Sequence, residues 1–250
     1  MPTPTLLLLR HGESTANAAG LFTGVFDAEL TARGRAEAAN AAGLIRTAGL
    51  VPDATFTSPL SRAAHTARIV LDALGRQDEE VTTDWRLTER SYGALTGRAK
   101  EEVLAEFGEE LFLEWRRSLG TRPPAMSDAQ FERLRAAPPF DALPDAAMPR
   151  TESLRDVMVR VQPVLTDVVE PALAAGRSVL VVAHGNSLRA VVGLLDGSDE
   201  DELRALNIPT GQPLVYDVDA SGQPVPRSGR YLDPETAHQA ARVIAAEGGT

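Results

Sequence analysis

Two histidines of this chain stand in the same kind of turn. His11 lies in Arg10-His11-Gly12-Glu13-Ser14, and His184 lies in Ala183-His184-Gly185-Asn186-Ser187. The chain has four histidines in all, so half of them follow an apolar run and precede a glycine. One such histidine alone reads as a hydrogen-bonded structural residue; two matching turns read as a site. Arg10, Arg62, Arg116, Arg117, Lys100 and Glu89 complete the set of reactive groups. Taken singly, Arg62, Glu89 and Lys100 read as surface residues. Together with the histidines they suit phosphoryl transfer. A neutral imidazole nitrogen can act as a nucleophile and carry the group. Guanidinium forks match phosphate oxygens two at a time. The transfer depends mainly on positioning and charge neutralisation, and a carboxylate can take and return the proton of a hydroxyl. The sequence has no Walker loop, no His-Glu-x-x-His and no acidic cluster of the kind that holds magnesium, so arginines rather than a metal would neutralise the phosphate. It has no cysteine, which excludes thiolate chemistry and disulfides.

These groups need a frame that brings distant stretches together. Leu6-Leu7-Leu8-Leu9 and Ser178-Val179-Leu180-Val181-Val182-Ala183 read as buried strands, each delivering its histidine at its C-terminal end, where ligands bind in open α/β sheets. Gly12 allows a sharp turn, and Glu13-Ser14 suits a helix start. A short helix and a loop should follow to Gly24. Thr31 should cap a helix that runs to about Ala48 and closes at Gly49, and Ala54–Thr57 reads as a second strand. Ser58 and Pro59 read as N-cap and first position of a helix through Leu74, which puts Arg62 in a first turn that favours anions. Residues 81–88 read as a third strand, 97–119 as a helix, and 151–175 as a long helix that Pro163 and Pro171 kink or divide. Helices are expected at 188–195 and 200–206. A strand at 214–218 is expected at a sheet edge, and an Ala-rich helix with a Gly-Gly-Thr end within 230–250. The expectation is one α/β domain over 1–250, with an inserted proline-rich flap at about 94–150 and a C-terminal tail at about 230–250.

Composition narrows the function classes. The 250 residues are 43% hydrophobic and 24% charged, as in soluble globular proteins. The formal net charge of −10 argues against a nucleic-acid partner but leaves room for a local cationic pocket. The apolar runs are too short to span a bilayer, so no membrane role is expected. The first residues lack a basic segment and a cleavage site, so the expected location is cytoplasmic. The basic residues are 24 arginines and a single lysine, Lys100.

The two turns resemble those of the histidine phosphatase superfamily. More narrowly, the chain resembles the 2,3-bisphosphoglycerate-dependent phosphoglycerate mutases. The matching stretches include Phe22-Thr23-Gly24, Thr57–Ala63, Glu89–Gly97, Glu114-Trp115-Arg116-Arg117 and Leu206–Tyr216, within a span from residue 6 to about 218. The His-Gly pair marks the superfamily; the flap motifs point to the mutases. The resemblance implies a three-layer α/β/α fold with a mostly parallel sheet and helices on both faces. It implies His11 as phosphorylated nucleophile, with Arg10, Arg62 and His184 holding the transferring group and Glu89 as general acid/base. It implies a substrate pocket of Ser14, Asn17, Thr23, Gly24, Arg90, Ser91, Tyr92, Lys100, Arg116, Arg117, Gly185 and Asn186. It also implies 2,3-bisphosphoglycerate as primer, no metal, phosphoglycerates as substrates and a homo-oligomer, dimer or tetramer. Ser91 stands where the family usually has histidine and Val25 where its loop usually carries tryptophan, with Phe26 also atypical there; Thr96 replaces glutamine, and Arg98-Ala99 replaces Leu-Asn.

Two other readings compete. A phosphatase on the same frame would use water as acceptor and has less need of a cationic flap with Lys100, Arg116 and Arg117. A non-catalytic phosphoester sensor would keep the pocket without needing His11, Arg62, Glu89 and His184 all intact.

Overall fold

A computed structural model describes residues 3–246. Strand β1 (Thr5–Arg10) is buried along its whole length. Helices α1 (Thr15–Ala18) and α2 (Ala32–Thr47) follow, then β2 (Ala54–Thr57), α3 (Ser61–Ala73) and β3 (Val81–Thr83). Helices α4 (Lys100–Arg117) and α5 (Asp128–Arg135) come next. Helix α6 (Leu154–Val164) continues through a wide turn at Leu165–Val169 into α7 (Glu170–Ala174). The remaining elements are β4 (Val179–Ala183), α8 (Gly185–Asp196), α9 (Glu200–Ala205), β5 (Leu214–Asp217), β6 (Arg230–Tyr231) and α10 (Pro234–Ala246). The single sheet has the order β3-β2-β4-β1-β5-β6. β1, β2, β3 and β4 run parallel, β5 is antiparallel to β1, and β6 is antiparallel to β5.

The leucine run of β1 serves two cores because successive side chains in a strand point to opposite faces. Leu6 and Leu8 join α6, α7 and α8 through Val157, Val161, Leu173 and Leu188. Leu7 and Leu9 join α2 and α3 through Ala41, Ile45, Ala67 and Val70. A central strand covered on both faces must be apolar throughout, which explains the unbroken run. The arrangement is the expected three-layer α/β/α fold. Each fully buried leucine contributes about 1.5–3 kcal/mol through burial alone.

Register positions the histidines. β1 and β4 pair Leu6 with Val179 through Arg10 with Ala183, so His11 and His184 are the next residues on both strands. The His11 amide donates to the Ala183 carbonyl at 3.0 Å, extending the ladder by one step. Gly12 then passes against Gly34 in the first turn of α2, where a Cβ on Gly12 would strike the Gly34 backbone and a Cβ on Gly34 would strike the Glu13 backbone. The two glycines are what allow the histidine turn to lie directly on α2.

Several local expectations need correction. Ser58 does not cap α3: the helix begins at Ser61, and Leu60 occupies the cap position without a side-chain bond. Arg62 still falls in its first turn. The third strand covers only Val81–Thr83, because Asp84 turns the chain by accepting the Arg86 amide. β5 is not at the edge, since the two-residue β6 pairs outside it. The 97–119 helix spans Lys100–Arg117 and is broken at Gly108, whose φ of 80° is left-handed. Residues 94–150 pack in two small clusters, and both include residues of the main body: Phe22 and Tyr92 in one, Val25 and Leu60 in the other. The Gly-Gly-Thr end lies outside the described residues.

Candidate active site

His11 and His184 lie side by side at the C-terminal edge of the sheet, with ring centroids 4.9 Å apart. Both rings are buried. The Nδ1 atom of His11 is 2.7 Å from the Gly12 carbonyl, which can only accept, so Nδ1 carries the proton. Nε2 is then unprotonated and accepts from Arg62 Nε at 3.2 Å. Burial, reinforced by Arg62 and Arg10, holds His11 well below the ordinary histidine range. His11 is therefore neutral at pH 7 with its lone pair on Nε2, the form a nucleophile requires.

Arg62 is fixed at three points. Besides His11 it donates to the carbonyls of Phe26 (2.8 Å) and Gly24 (2.9 Å), so its whole fork is oriented before any ligand arrives. Burial lowers its pKa to about 10, so it stays charged at neutral pH. Arg10 donates to the Ile208 carbonyl at 2.8 Å, while its Nε is buried without a hydrogen-bond partner. Burial lowers Arg10 as well.

Glu89 comes from the loop after the turn at Trp85–Leu87. Arg160 of α6 holds that loop by donating to the carbonyls of Arg86, Thr88 and Glu89, and it pairs with the buried Glu152. The Glu89 carboxylate accepts from the amides of Arg90 (2.7 Å) and Asn186 (3.1 Å). The second amide belongs to the first turn of α8, where free N–H groups stabilise negative charge. Asn186 also donates to the Tyr92 hydroxyl at 3.2 Å.

These side chains enclose a cleft of about 400 Å³, counted out to its open mouth. Of the residues singled out in the sequence, Arg10, His11, Asn17, Thr23, Gly24, Arg62, Glu89, Tyr92 and Lys100 line it, together with Leu21 and Phe22. Others sit elsewhere. Ser14 caps α1 and exchanges hydrogen bonds with Asn17. Ser91 is buried, and its backbone pairs with Glu152 in both directions. Gly185 is the first residue of α8 and Asn186 the second. Arg90 lies over the Tyr92 ring at 4.5 Å and donates to the Trp115 carbonyl, with Nε and Nη1 buried and unpartnered. Arg116 is fully buried over the Phe112 ring. Arg117 donates to Asn207 and to the Arg204 carbonyl. Beyond the cleft, Ala240, Val243 and Ile244 of α10 border an outer hollow shared with Arg10 and Lys100.

Sequence reasoning missed four supporting residues. Ser58 contacts His184, Thr66 accepts from the Gly12 amide, and Gln212 is buried next to Gly211, whose amide donates to the Arg10 carbonyl. Arg189 is fully buried and donates to Asn186 Oδ1 and the Leu203 carbonyl, with its pKa lowered by burial to about 9. Arg189 had a signal: it stands three residues after Asn186 on a helix, hence on the same face. Ser58 and Thr66 had none beyond their neighbours, because their partners come from distant segments.

The described residues contain no group of three or more histidine, cysteine or acidic side chains that could hold a metal ion. No helix among them is long and apolar enough to cross a membrane.

The chain matches the family model of the histidine phosphatase superfamily (branch 1) over residues 6–143 and 127–228. It is 49% identical over 247 residues to a 2,3-bisphosphoglycerate-dependent phosphoglycerate mutase of Nocardioides sp., covering 98% of this chain and 99% of that one. It is 48% identical to the enzymes of that name from Arthrobacter sp. and Thermobifida fusca, covering 98% of this chain and 99% of each relative. Among solved structures it resembles YhfR of Bacillus stearothermophilus (TM-score 0.67, 24% identity, 90% of this chain and 96% of that one). It also resembles a mycobacterial glucosyl-3-phosphoglycerate phosphatase (TM-score 0.66, 24% identity, 91% and 96%), a likeness of fold.

Proposed function

The chain belongs to the histidine phosphatase superfamily and, within it, to the 2,3-bisphosphoglycerate-dependent phosphoglycerate mutases, and from that premise we propose how its own residues carry the reaction. The enzyme is an isomerase of glycolysis and gluconeogenesis that interconverts 2-phosphoglycerate and 3-phosphoglycerate through a phosphohistidine. The bisphosphate supplies the phosphoryl group that primes it. The donor set fits such a polyanion: buried Arg10 retains an unpartnered guanidinium N–H group, and Arg62 and Lys100 line the same cleft.

His11 is the nucleophile. Its Nε2 lone pair forms the P–N bond as a P–O bond breaks, and Glu89 gives its proton to the departing oxygen. In the reverse half, Glu89 takes the proton of the accepting hydroxyl, the P–N bond breaks and the pair returns to Nε2. Arg10, Arg62 and His184 hold the phosphoryl oxygens. Ser14, Asn17, Thr23, Gly24, Arg90, Ser91, Tyr92, Lys100, Arg116, Arg117, Gly185 and Asn186 form or support the glycerate pocket. Arginines neutralise the charge in place of a metal. The protein acts as one domain with a flap at 94–150, as a cytoplasmic homo-oligomer, dimer or tetramer, without nucleic-acid or membrane partners.

One observation carries this reading: a neutral His11 whose Nε2 lone pair is held toward a cation-lined cleft by Gly12 and Arg62. The test is conversion of 3-phosphoglycerate to 2-phosphoglycerate with and without trace 2,3-bisphosphoglycerate, in EDTA. Conversion should require the bisphosphate and ignore EDTA. Release of inorganic phosphate without isomerisation would place the protein among the phosphatases instead.

A further inference from the structure

Ser58 follows β2 as His184 follows β4, and the register of the two strands, Thr57 against Val182, brings their ends together. The Ser58 hydroxyl lies 2.7 Å from Nε2 of His184. Both residues are fully buried. Pro59 has no amide hydrogen, so the next free amide, that of Leu60, donates to Ser58 Oγ at 3.1 Å. One Oγ lone pair is thus engaged, and the hydroxyl hydrogen still needs an acceptor at this fully buried position. His184 Nε2 is the acceptor within reach. His184 itself is held well below the ordinary histidine range by burial, then by Arg62 and His11, so it carries a single ring proton at pH 7. If Nε2 accepts, that proton is on Nδ1, a buried atom with no partner of its own.

We propose that Ser58 is a positioning residue: by donating to Nε2, it fixes His184 as the neutral Nδ1–H tautomer and so turns His184 into a hydrogen-bond donor for the phosphoryl group on His11. The opposite tautomer would present a lone pair at Nδ1 to phosphate oxygens and repel them. The two histidines then hold the same tautomer for complementary ends. In His11 the Gly12 carbonyl accepts from Nδ1–H and so leaves the nucleophilic lone pair at Nε2, where Arg62 holds it. In His184 the Ser58 hydroxyl fills Nε2 and leaves a donor at Nδ1. The role of the Nδ1–H group rests on the phosphohistidine reading; the tautomer itself does not.

The experiment is ¹⁵N NMR of the histidine-labelled, unliganded protein near pH 7.5, with His184→Gln to assign the resonances. Wild type and Ser58→Thr, which keeps the hydroxyl, should show a protonated Nδ1 and an unprotonated Nε2 at His184. Ser58→Ala should shift His184 toward the Nε2–H form that free imidazole side chains favour. In the mutase assay Ser58→Ala should lose roughly 10²- to 10³-fold in kcat with KM changed by less than about threefold, as when one preorganised donor is removed. Ser58→Thr should retain at least about a fifth of wild-type kcat. An Nε2–H tautomer in wild type, or an unchanged Nδ1–H tautomer in Ser58→Ala, would overturn the proposal whatever the activity. A correct tautomer switch in a protein without mutase activity would leave the tautomer assignment standing and refute the functional reading, together with the donor role that rests on it.

Discussion

Acidifying this protein from pH 7.5 to 5.5 should destabilise it by about 2.7 kcal/mol, through His11 and His184 alone. Both are buried and held well below the ordinary histidine value, first by burial and then by Arg62 and their other charged neighbours. The sign follows from linkage. In this window the unfolded chain takes up protons at these positions and the folded chain does not, so stability rises with pH and falls on acidification. A histidine that protonates only when unfolded, with an ordinary value near 6.5, contributes about 1.4 kcal/mol between these two pH values, and two contribute twice that. Ordinary carboxylates titrate near 4 and add little here. The assay is urea unfolding at both pH values in phosphate-free buffer, since anions would bind the native site. His11→Asn and His184→Asn should each lose about half of the pH dependence, and the double variant nearly all of it, while the exposed His65 and His238 are common to every protein compared. A wild-type loss below about 0.7 kcal/mol, or a double variant as acid-sensitive as wild type, would refute the claim that the two rings stay neutral in the fold.

Glu89→Gln should slow turnover by on the order of 10²–10⁴ with little change in KM, because the amide still accepts the Arg90 and Asn186 amides but cannot move a proton; steady-state kinetics showing less than a twofold loss would exclude that role. Gly12→Ala should cost at least about 2 kcal/mol, since its Cβ would meet the Gly34 carbonyl and push the His11 turn off α2; a melting temperature and kcat equal to wild type would contradict the close approach. Bisphosphoglycerate at about 100 times its Kd should stabilise the protein by about 2.7 kcal/mol by mass action, visible as a thermal shift that high salt reduces. Absence of any shift would mean that the buried arginines do not form an anion site.

The parts of this molecule legible in its sequence are those where one strand or turn carries its own explanation. Leu6–Leu9 must be a central strand because every side chain is apolar, and both cores use it. Thr31 was readable as a cap because its partner, the Gly34 amide, is three residues away. The His11 and His184 turns were readable as a pair because parallel pairing of two such strands places their ends together. Ser58 shows the opposite case. Ser-Pro before a helical pattern is a sound local signal for a cap, yet its hydroxyl is engaged by His184, 126 residues away. Likewise Ser91 sits in a matching motif, but its backbone is taken by Glu152 from a later segment. Long-range hydrogen bonding overrides local preference in each case, and no periodicity records it. β6, which moves β5 in from the edge, is two residues long and too short to leave a pattern in the sequence.

The central claim is that Nε2 of His11 is the atom that carries the phosphoryl group. The direct measurement is to mix the enzyme with 2,3-bisphosphoglycerate, quench in alkali, and determine by ³¹P NMR and peptide mass spectrometry where acid-labile phosphate resides. About one phosphate per chain is expected, on Nε2 of His11, and none in His11→Asn. Phosphate on Nδ1, on another residue, or on no residue while isomerisation proceeds would contradict the claim.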